Sequence, residues 1–268
     1  MTSFQTTATI RLNGTELYYE IYGQGEPLIM IQGCGGNITL WEPLIESLSQ
    51  HFQLILFDNR GMGRSQITPG DYTIQLLAED TAALMNHLEI RAAHILGWSM
   101  GGMVAQELAV TYPALVNKLI IVASASRFPD RSAFIFRAFL EMLQHGEYES
   151  LARWHMSLCF SNAFFSNADV VSTTFKSFII SQYPPMLEGL TSQVAALVSY
   201  DRRGQLQDIH APTLVLGAEE DGFFPTHVIH ETAADIQGAK AQILPGSHLF
   251  YLEYPNDFSR DVVSFLKA

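Results

Sequence analysis

The chain has 268 residues, 48% hydrophobic and 16% charged, which supplies one large core and excludes a disordered segment. Its 15 Lys and Arg against 27 Asp and Glu leave a formal charge of −12. That balance disfavours nucleic acid and anionic membrane surfaces, which are held by clustered basic residues; it says nothing positive about the small-molecule substrate that is the expected partner on the residues below.

In chain order, "ATIRL" and "ELYYEIYG" flank Asn13-Gly14, a strong two-residue hairpin signal. "PLIMIQG" and "FQLILFD" are short, continuously apolar runs, as expected of strands buried on both faces. Between them, after the glycine-rich "GCGGN", "LWEPLIESLSQ" reads as an amphipathic helix. Another helix is expected over 74–90, with Ile74, Leu77, Ala78, Thr81 and Leu84 or Met85 on one face. "AHILGW", the helix around "MVAQELAVTYP" and the strand "NKLIIVAS" follow. Strand and helix alternating at this spacing imply an α/β fold, a mostly parallel sheet with helices on both faces.

The alternation stops near Phe128. From there to Leu206 the chain reads as helical and heavy in aromatics, and strands resume with "PTLVLGAEED" and "KAQILPG", each followed by a helix. The expected organisation is a core of 1–127 and 207–268 carrying a helical cap over 128–206. The opening "MTSFQTTATIRLNG" lacks a basic and apolar leader, and no apolar run reaches the roughly 18 residues that span a bilayer; a cytoplasmic location is expected. Two cysteines, Cys34 and Cys159, suggest no disulfide scaffold.

Residues 95–102 read "ILGWSMGG". Glycine two places on either side of Ser99 lets the neighbouring backbone approach a tight, strained turn. With a strand before it and a helix after it, the serine hydroxyl is presented at the carboxyl edge of the sheet, facing the helix N-terminus. A serine hydroxyl is a weak nucleophile without a base, and in such an elbow acid and histidine follow the serine in that order. His248, in the turn of "LPGSHLFYLEYP", is the expected base; His227 and His230 read as solvated residues of a helix. "LVLGAEEDGFFP" offers Glu219, Glu220 and Asp221, of which Asp221 lies farthest from the strand and beside Gly222. The strand before it, "IIVASASRF", holds no carboxylate short of Asp130. The expected role of Asp221 is to fix the tautomer of His248 and stabilise the imidazolium. An oxyanion is expected to meet the backbone N–H groups of Met100 and of Cys34 in "QGCGGN". The competing reading, the Cys34 thiol as nucleophile, has no histidine close by in sequence. "FDNRGMGRS" reads as a structural brace, with Asp58, Arg60, Gly61, Gly63 and Ser65 pinning a tight loop through a charged pair.

Together these residues resemble the α/β-hydrolase superfamily over nearly the whole chain: Gln32-Gly33-Cys34, Asp58 to Ser65, Gly97 to Gly102, Asp221 and His248 fall in its order. Among its branches the chain looks most like small capped, cofactor-free serine hydrolases such as 3-oxoadipate enol-lactonases and aminoacrylate hydrolases. Gln32-Gly33 stands where the family usually has His-Gly. The resemblance implies the fold and a cofactor-free, metal-free site, while the aromatic insert implies a lid over the triad, with Trp98, Phe139, Trp154, Phe223, Phe224 and Phe250 expected to line an apolar pocket. An apolar lid favours a neutral ester or lactone over a dicarboxylate, although Arg127, Arg131, Arg137 and Arg153 are available to meet a charge. Cleavage through an acyl-enzyme is the leading expectation. Carbon–carbon bond hydrolysis of a dienoate-type diketone, cofactor-free perhydrolysis and a non-catalytic receptor are the alternatives.

Overall fold

The computed structural model describes residues 4–268, with side chains from residue 6 onward. Among them one sheet of eight strands forms, in the order β1-β2-β4-β3-β5-β6-β7-β8. The strands are β1 (Phe4–Leu12), β2 (Thr15–Tyr22), β3 (Pro27–Ile31), β4 (Gln53–Phe57), β5 (Ala93–Trp98), β6 (Val116–Val122), β7 (Thr213–Ala218) and β8 (Lys240–Leu244). The hairpin at Asn13-Gly14 joins β1 to β2, and β2 pairs antiparallel with β4. From β4 onward every pairing is parallel. β5 and β7 are buried along their whole length, and β3 and β4 are buried except at their first residues. Side chains covered on both faces explain why these runs are continuously apolar rather than alternating.

The core helices are α1 (Glu42–Leu48), α2 (Ile74–His87), α3 (Met100–Thr111), α9 (Thr226–Ala234), α10 (Phe250–Glu253) and α11 (Pro255–Lys267). α1 packs on α11 and α2 on α3. The Thr73 hydroxyl caps α2 by accepting the Leu76 N–H. Chain order turns back on itself at β3: β4 lies on one side of it and β5 on the other. In open α/β sheets that reversal opens a crevice at the carboxyl ends of the two strands, where ligands bind. Gly33 follows β3 and Ser99 follows β5, so both stand at its mouth.

Five helices lie between β6 and β7: α4 (Asp130–Gln144), α5 (Tyr148–Cys159), α6 (Asn162–Phe165), α7 (Ala168–Ile179) and α8 (Leu187–Val198). The chain enters and leaves this cap side by side. Arg127 and Asp201 form an isolated β-bridge, Phe128 N–H donates to Tyr200 O at 3.2 Å, and Arg202 N–H donates to Ser126 O at 2.8 Å. The two ends of the cap are thus paired at 126–128 and 200–202, and a short turn over Leu206–Asp208 leads from there to β7. A second apolar cluster of Met62, Leu143, Leu151, Leu190 and Val194 joins cap to core, with Cys34, Phe136, Phe139 and Trp154 at its border. No helix among the described residues is long and apolar enough to cross a membrane.

Candidate active site

Ser99 occupies a backbone conformation that side chains rarely adopt, φ 56° and ψ −119°, the strained geometry of a nucleophile elbow. The flanking glycines make it possible. A Cβ on Gly97 would stand 2.1 Å from Gly101 O, and one on Gly101 would stand 2.1 Å from Ile31 O. Strand β5, helix α3 and strand β3 therefore meet backbone to backbone, and the spacing in "GWSMG" follows from that contact. Ser99 N–H donates to Val122 O at 2.8 Å, anchoring the turn to β6.

Asp221 and His248 lie 122 and 149 positions after Ser99 in sequence, yet the fold brings the three into line. His248 Nε2 lies 3.1 Å from Ser99 Oγ, and His248 Nδ1 lies 2.9 Å from Asp221 Oδ2. The other carboxylate oxygen, Oδ1, accepts the Phe223 and Phe224 N–H groups at 2.8 and 2.9 Å. Those bonds orient the carboxylate from the turn after β7. Of its neighbours, Glu219 and Glu220 are exposed. Glu220 instead accepts from Asn162 at 3.0 and 2.7 Å, tying the acid turn to the cap. His227 and His230 are exposed on α9.

The imidazole of His248 is boxed in by rings. Trp98 and Phe223 each lie 4.9 Å from it and Phe224 stacks at 5.7 Å, centroid to centroid. Trp98 Nε1 donates to the His248 carbonyl at 2.9 Å, so this tryptophan holds the histidine's backbone as well as its ring. Phe250 takes another position: it packs on Phe258, 5.7 Å away, within the main core. Phe139 and Trp154 face each other in the cap at 6.4 Å and border the same apolar cluster as Cys34.

The loop after β3 crosses over the serine. A Cβ on Gly33 would lie 3.0 Å from Ser99 Cβ. The N–H groups of Cys34 and Met100 donate to no acceptor among the described residues, which leaves two backbone donors free beside Ser99. Asn59 Nδ2 donates to Gln32 O at 2.9 Å and Gln32 Oε1 accepts Gly33 N–H at 3.3 Å, so Gln32 braces the loop from within. One further brace comes from the cap: Gln193 on α8 accepts the Gly35 N–H through Oε1 and donates to Arg60 O through Nε2, both at 3.0 Å. Neither Gln193 nor the Trp98 N–H stands out in the sequence, because both bond to backbone far along the chain. The half-buried Cys34 thiol is pushed up by its apolar surroundings, the opposite of what a thiolate nucleophile needs.

The brace differs from its expected pairing. Asp58 binds Arg64, whose N–H and Nε approach Oδ2 at 2.8 and 3.1 Å, and it also accepts the Ile38 N–H at 2.8 Å. Arg60 pairs instead with buried Asp80, at 2.8 Å through Nε and 2.7 Å through Nη2. Ser65 Oγ donates to Asp58 O at 2.6 Å and accepts the Tyr18 N–H at 2.9 Å. Arg64 also reaches Glu20 at 2.9 Å, so three ion pairs pin the loop. Of the four arginines available for a charged substrate, Arg127 pairs with Asp130 and Asp201, while Arg131, Arg137 and Arg153 are exposed. A broad open depression of about 1060 Å³ lies at the other end of the sheet, bordered by Glu89, Arg91, Thr111 and Leu115; it is remote from Ser99.

Comparison with known proteins agrees with this architecture. The family model for the alpha/beta hydrolase fold matches residues 26–255. A relative from Azorhizobium caulinodans, bearing the name carbamate hydrolase RutD as a provisional assignment, is 28% identical over 93% of this chain and 94% of its own. The 3-oxoadipate enol-lactonase 2 of Acinetobacter baylyi is 27% identical over 100% of this chain and 99% of its own. The crystal structure of the enol-lactonase from Burkholderia xenovorans LB400 superposes with a TM-score of 0.89 at 27% identity, covering 97% of this chain and 100% of that one. The chain belongs to the alpha/beta hydrolase family.

Proposed function

We infer that the protein is a serine hydrolase that cleaves a small, neutral carboxylic ester or lactone through an acyl-enzyme on Ser99. The observation that carries this reading is the continuous hydrogen-bonded line from Ser99 Oγ through His248 to Asp221, with two unengaged N–H groups beside it. His248 Nε2 takes the Ser99 proton as Oγ attacks the carbonyl carbon, and Asp221 steadies the imidazolium that results. The developing oxyanion is met by the Cys34 and Met100 N–H groups, donors already in place before charge appears. Collapse of the tetrahedral intermediate expels the alcohol, protonated by His248, and leaves the acyl group on Ser99. A water activated by the same histidine then releases the acid. In a lactone the leaving alcohol stays tethered to the acyl group, so the ring opens as Ser99 is acylated and the second half-reaction releases the hydroxy acid.

The cap serves as a lid whose aromatic face excludes water and selects substrate shape. Its arginines are exposed or paired, which supports a neutral substrate. The relatives named for lactone and carbamate hydrolysis both act at carbonyl carbons bearing a leaving group, as this machinery would. A panel of acetate to decanoate esters, γ- and δ-lactones and alkyl carbamates, assayed with the native chain and Ser99→Ala, tests the reading. Turnover of an ester or lactone that vanishes in Ser99→Ala is expected; turnover of carbamates alone would move the substrate class, and activity kept by Ser99→Ala would remove the serine from its role.

A further inference from the structure

Cap helix α5 carries a histidine that the hydrolytic machinery leaves unused. The ring of His155 lies among Phe139 at 5.6 Å, Phe178 at 5.7 Å and Phe223 at 6.5 Å. Phe223 in turn lies 4.9 Å from the His248 ring, so a single phenylalanine separates two imidazoles, one from the cap and one from the core. The end of α5 is fixed to the His248 loop: Leu249 N–H donates to Cys159 O at 2.9 Å and Ser247 Oγ donates to Leu158 O at 3.1 Å. The position of His155 relative to His248 is therefore held from both sides.

Its tautomer follows from its neighbour. His155 Nε2 lies 3.4 Å from Cys159 Sγ, one helical turn on. Burial and the nearby Asp221 push the Cys159 thiol up, so the sulfur keeps its proton. Sulfur is a weak acceptor and a neutral imidazole nitrogen a good one, so S–H donates and Nε2 accepts. Burial, reinforced by His248, lowers His155 to about 4, which keeps the ring neutral with one donor nitrogen and one acceptor. With Nε2 accepting, the proton sits on Nδ1. That N–H has no protein partner and is not walled off from open space. His155 is half-buried, so this donor is open to an incoming acceptor as well as to water.

We propose that His155 is a specificity-determining residue whose Nδ1–H donates to a second oxygen on the leaving-group side of the substrate. The side follows from His248, which hands its proton to the departing oxygen and so faces the alcohol portion; His155 lies just beyond it. The favoured substrate carries an ether or oxo acceptor a few atoms from the scissile C–O bond. This rests on the serine-hydrolase reading above.

The test compares two acetate esters that differ by one isosteric exchange, 2-methoxyethyl and n-butyl, in the native protein, His155→Leu and His155→Gln. A parallel pair moves the ether to the acyl side: n-propyl methoxyacetate and n-propyl butanoate. Folding and serine reactivity of each variant are checked by fluorophosphonate labelling of Ser99. The kcat/KM ratio of the methoxyethyl to the butyl ester should fall about tenfold in His155→Leu, the scale of one neutral hydrogen bond. It should recover substantially in His155→Gln, whose amide can donate, and the acyl-side ratio should not move. Independently of turnover, ¹⁵N NMR of the imidazole should find Nδ1 protonated and Nε2 bare. An unchanged ratio, a shift confined to the acyl-side pair, equal loss on both esters, or a proton on Nε2 overturns the proposal. If no ester is turned over and Ser99 does not label, the hydrolase reading fails separately, and the NMR tautomer still decides for or against the donor.

Discussion

Gln193 reaches from the cap to Gly35 in the loop above Ser99, its Oε1 accepting the Gly35 N–H at 3.0 Å while its Nε2 donates to Arg60 O at the same distance. A fully buried amide with both ends engaged ties three segments together: cap helix α8, the loop after β3 and the brace after β4. The loop it holds is the one that offers the Cys34 N–H, so the cap contributes to the geometry of the proposed oxyanion site as well as to its cover.

Gln193→Leu should therefore lower kcat by about tenfold or more while KM changes little, because a donor displaced by a fraction of an ångström weakens stabilisation of the transition state more than binding of the ground state. The melting temperature should fall too, since the buried Arg60 carbonyl loses its partner at about 1–3 kcal/mol and the half-buried Gly35 N–H loses its own at less. Steady-state kinetics beside thermal unfolding checks this. A lower melting temperature with kcat intact would mean that Gln193 serves stability alone.

Asp221→Asn should preserve the fold and cost roughly 10⁴ in rate, the scale seen when an amide leaves a catalytic histidine in the wrong tautomer. Glu219→Gln should be nearly silent because its side chain is exposed, and Glu220→Gln should cost little because an amide oxygen can still accept from Asn162. Single-turnover kinetics of the three variants separates them, and a severe defect in either glutamate variant with a mild one in Asp221→Asn would reassign the acid.

Phe139→Ala and Trp154→Ala should shift the preferred chain length of the ester rather than slow all substrates alike. Both rings border the apolar cluster beside Cys34, and each methylene accommodated or refused in such a pocket is worth about 1–3 kcal/mol. Ratios of kcat/KM across the ester series provide the measurement; a uniform loss with a matching drop in melting temperature would make these rings core residues only.

Acid should destabilise the protein partly through His155. Its folded value of about 4 lies below the ordinary value of 6.5, so between those limits the unfolded chain binds a proton that the folded one refuses. Stability from this group is complete above pH 6.5 and is lost as pH falls toward 4, by at most about 1.4 kcal/mol per pH unit. The groups facing it are Cys159, whose thiol stays protonated in this range, and His248 across Phe223. Urea unfolding of native protein and His155→Leu at pH 4.5, 5.5 and 7 should show the difference between the two shrinking as pH falls. A constant difference would mean that the imidazole titrates normally.

Local pattern made the sheet and the elbow readable. The apolar runs "PLIMI" and "QLILF" admit few other placements than a strand covered on both faces, and the glycines around Ser99 are demanded by backbone contacts that any side chain would break. Chain order and an adjoining turn then singled out Asp221 and His248. Less was legible wherever a side chain bonds to distant backbone. Gln193 meets Gly35 across 158 positions and Trp98 meets the His248 carbonyl across 150, and no periodicity marks either. The pairing of the brace was similarly hidden: Asp58, Arg60 and Arg64 are close enough in sequence for several pairings, and buried Asp80, which decides among them by claiming Arg60, sits beyond the loop on helix α2. Phe250 and Phe223 are both aromatic residues next to the proposed catalytic groups, and only the direction of the short helix α10 sends one ring toward Phe258 and not toward His248.

The central claim is that Ser99 is the nucleophile, and the most direct measurement is mass spectrometry of the protein after brief exposure to a fluorophosphonate at pH 7.5. The account predicts one adduct per chain, on the peptide containing Ser99, absent from Ser99→Ala and strongly slowed in His248→Ala, where the base is gone. An adduct on Cys34 or on any residue other than Ser99, or labelling that proceeds at the native rate without His248, would contradict it.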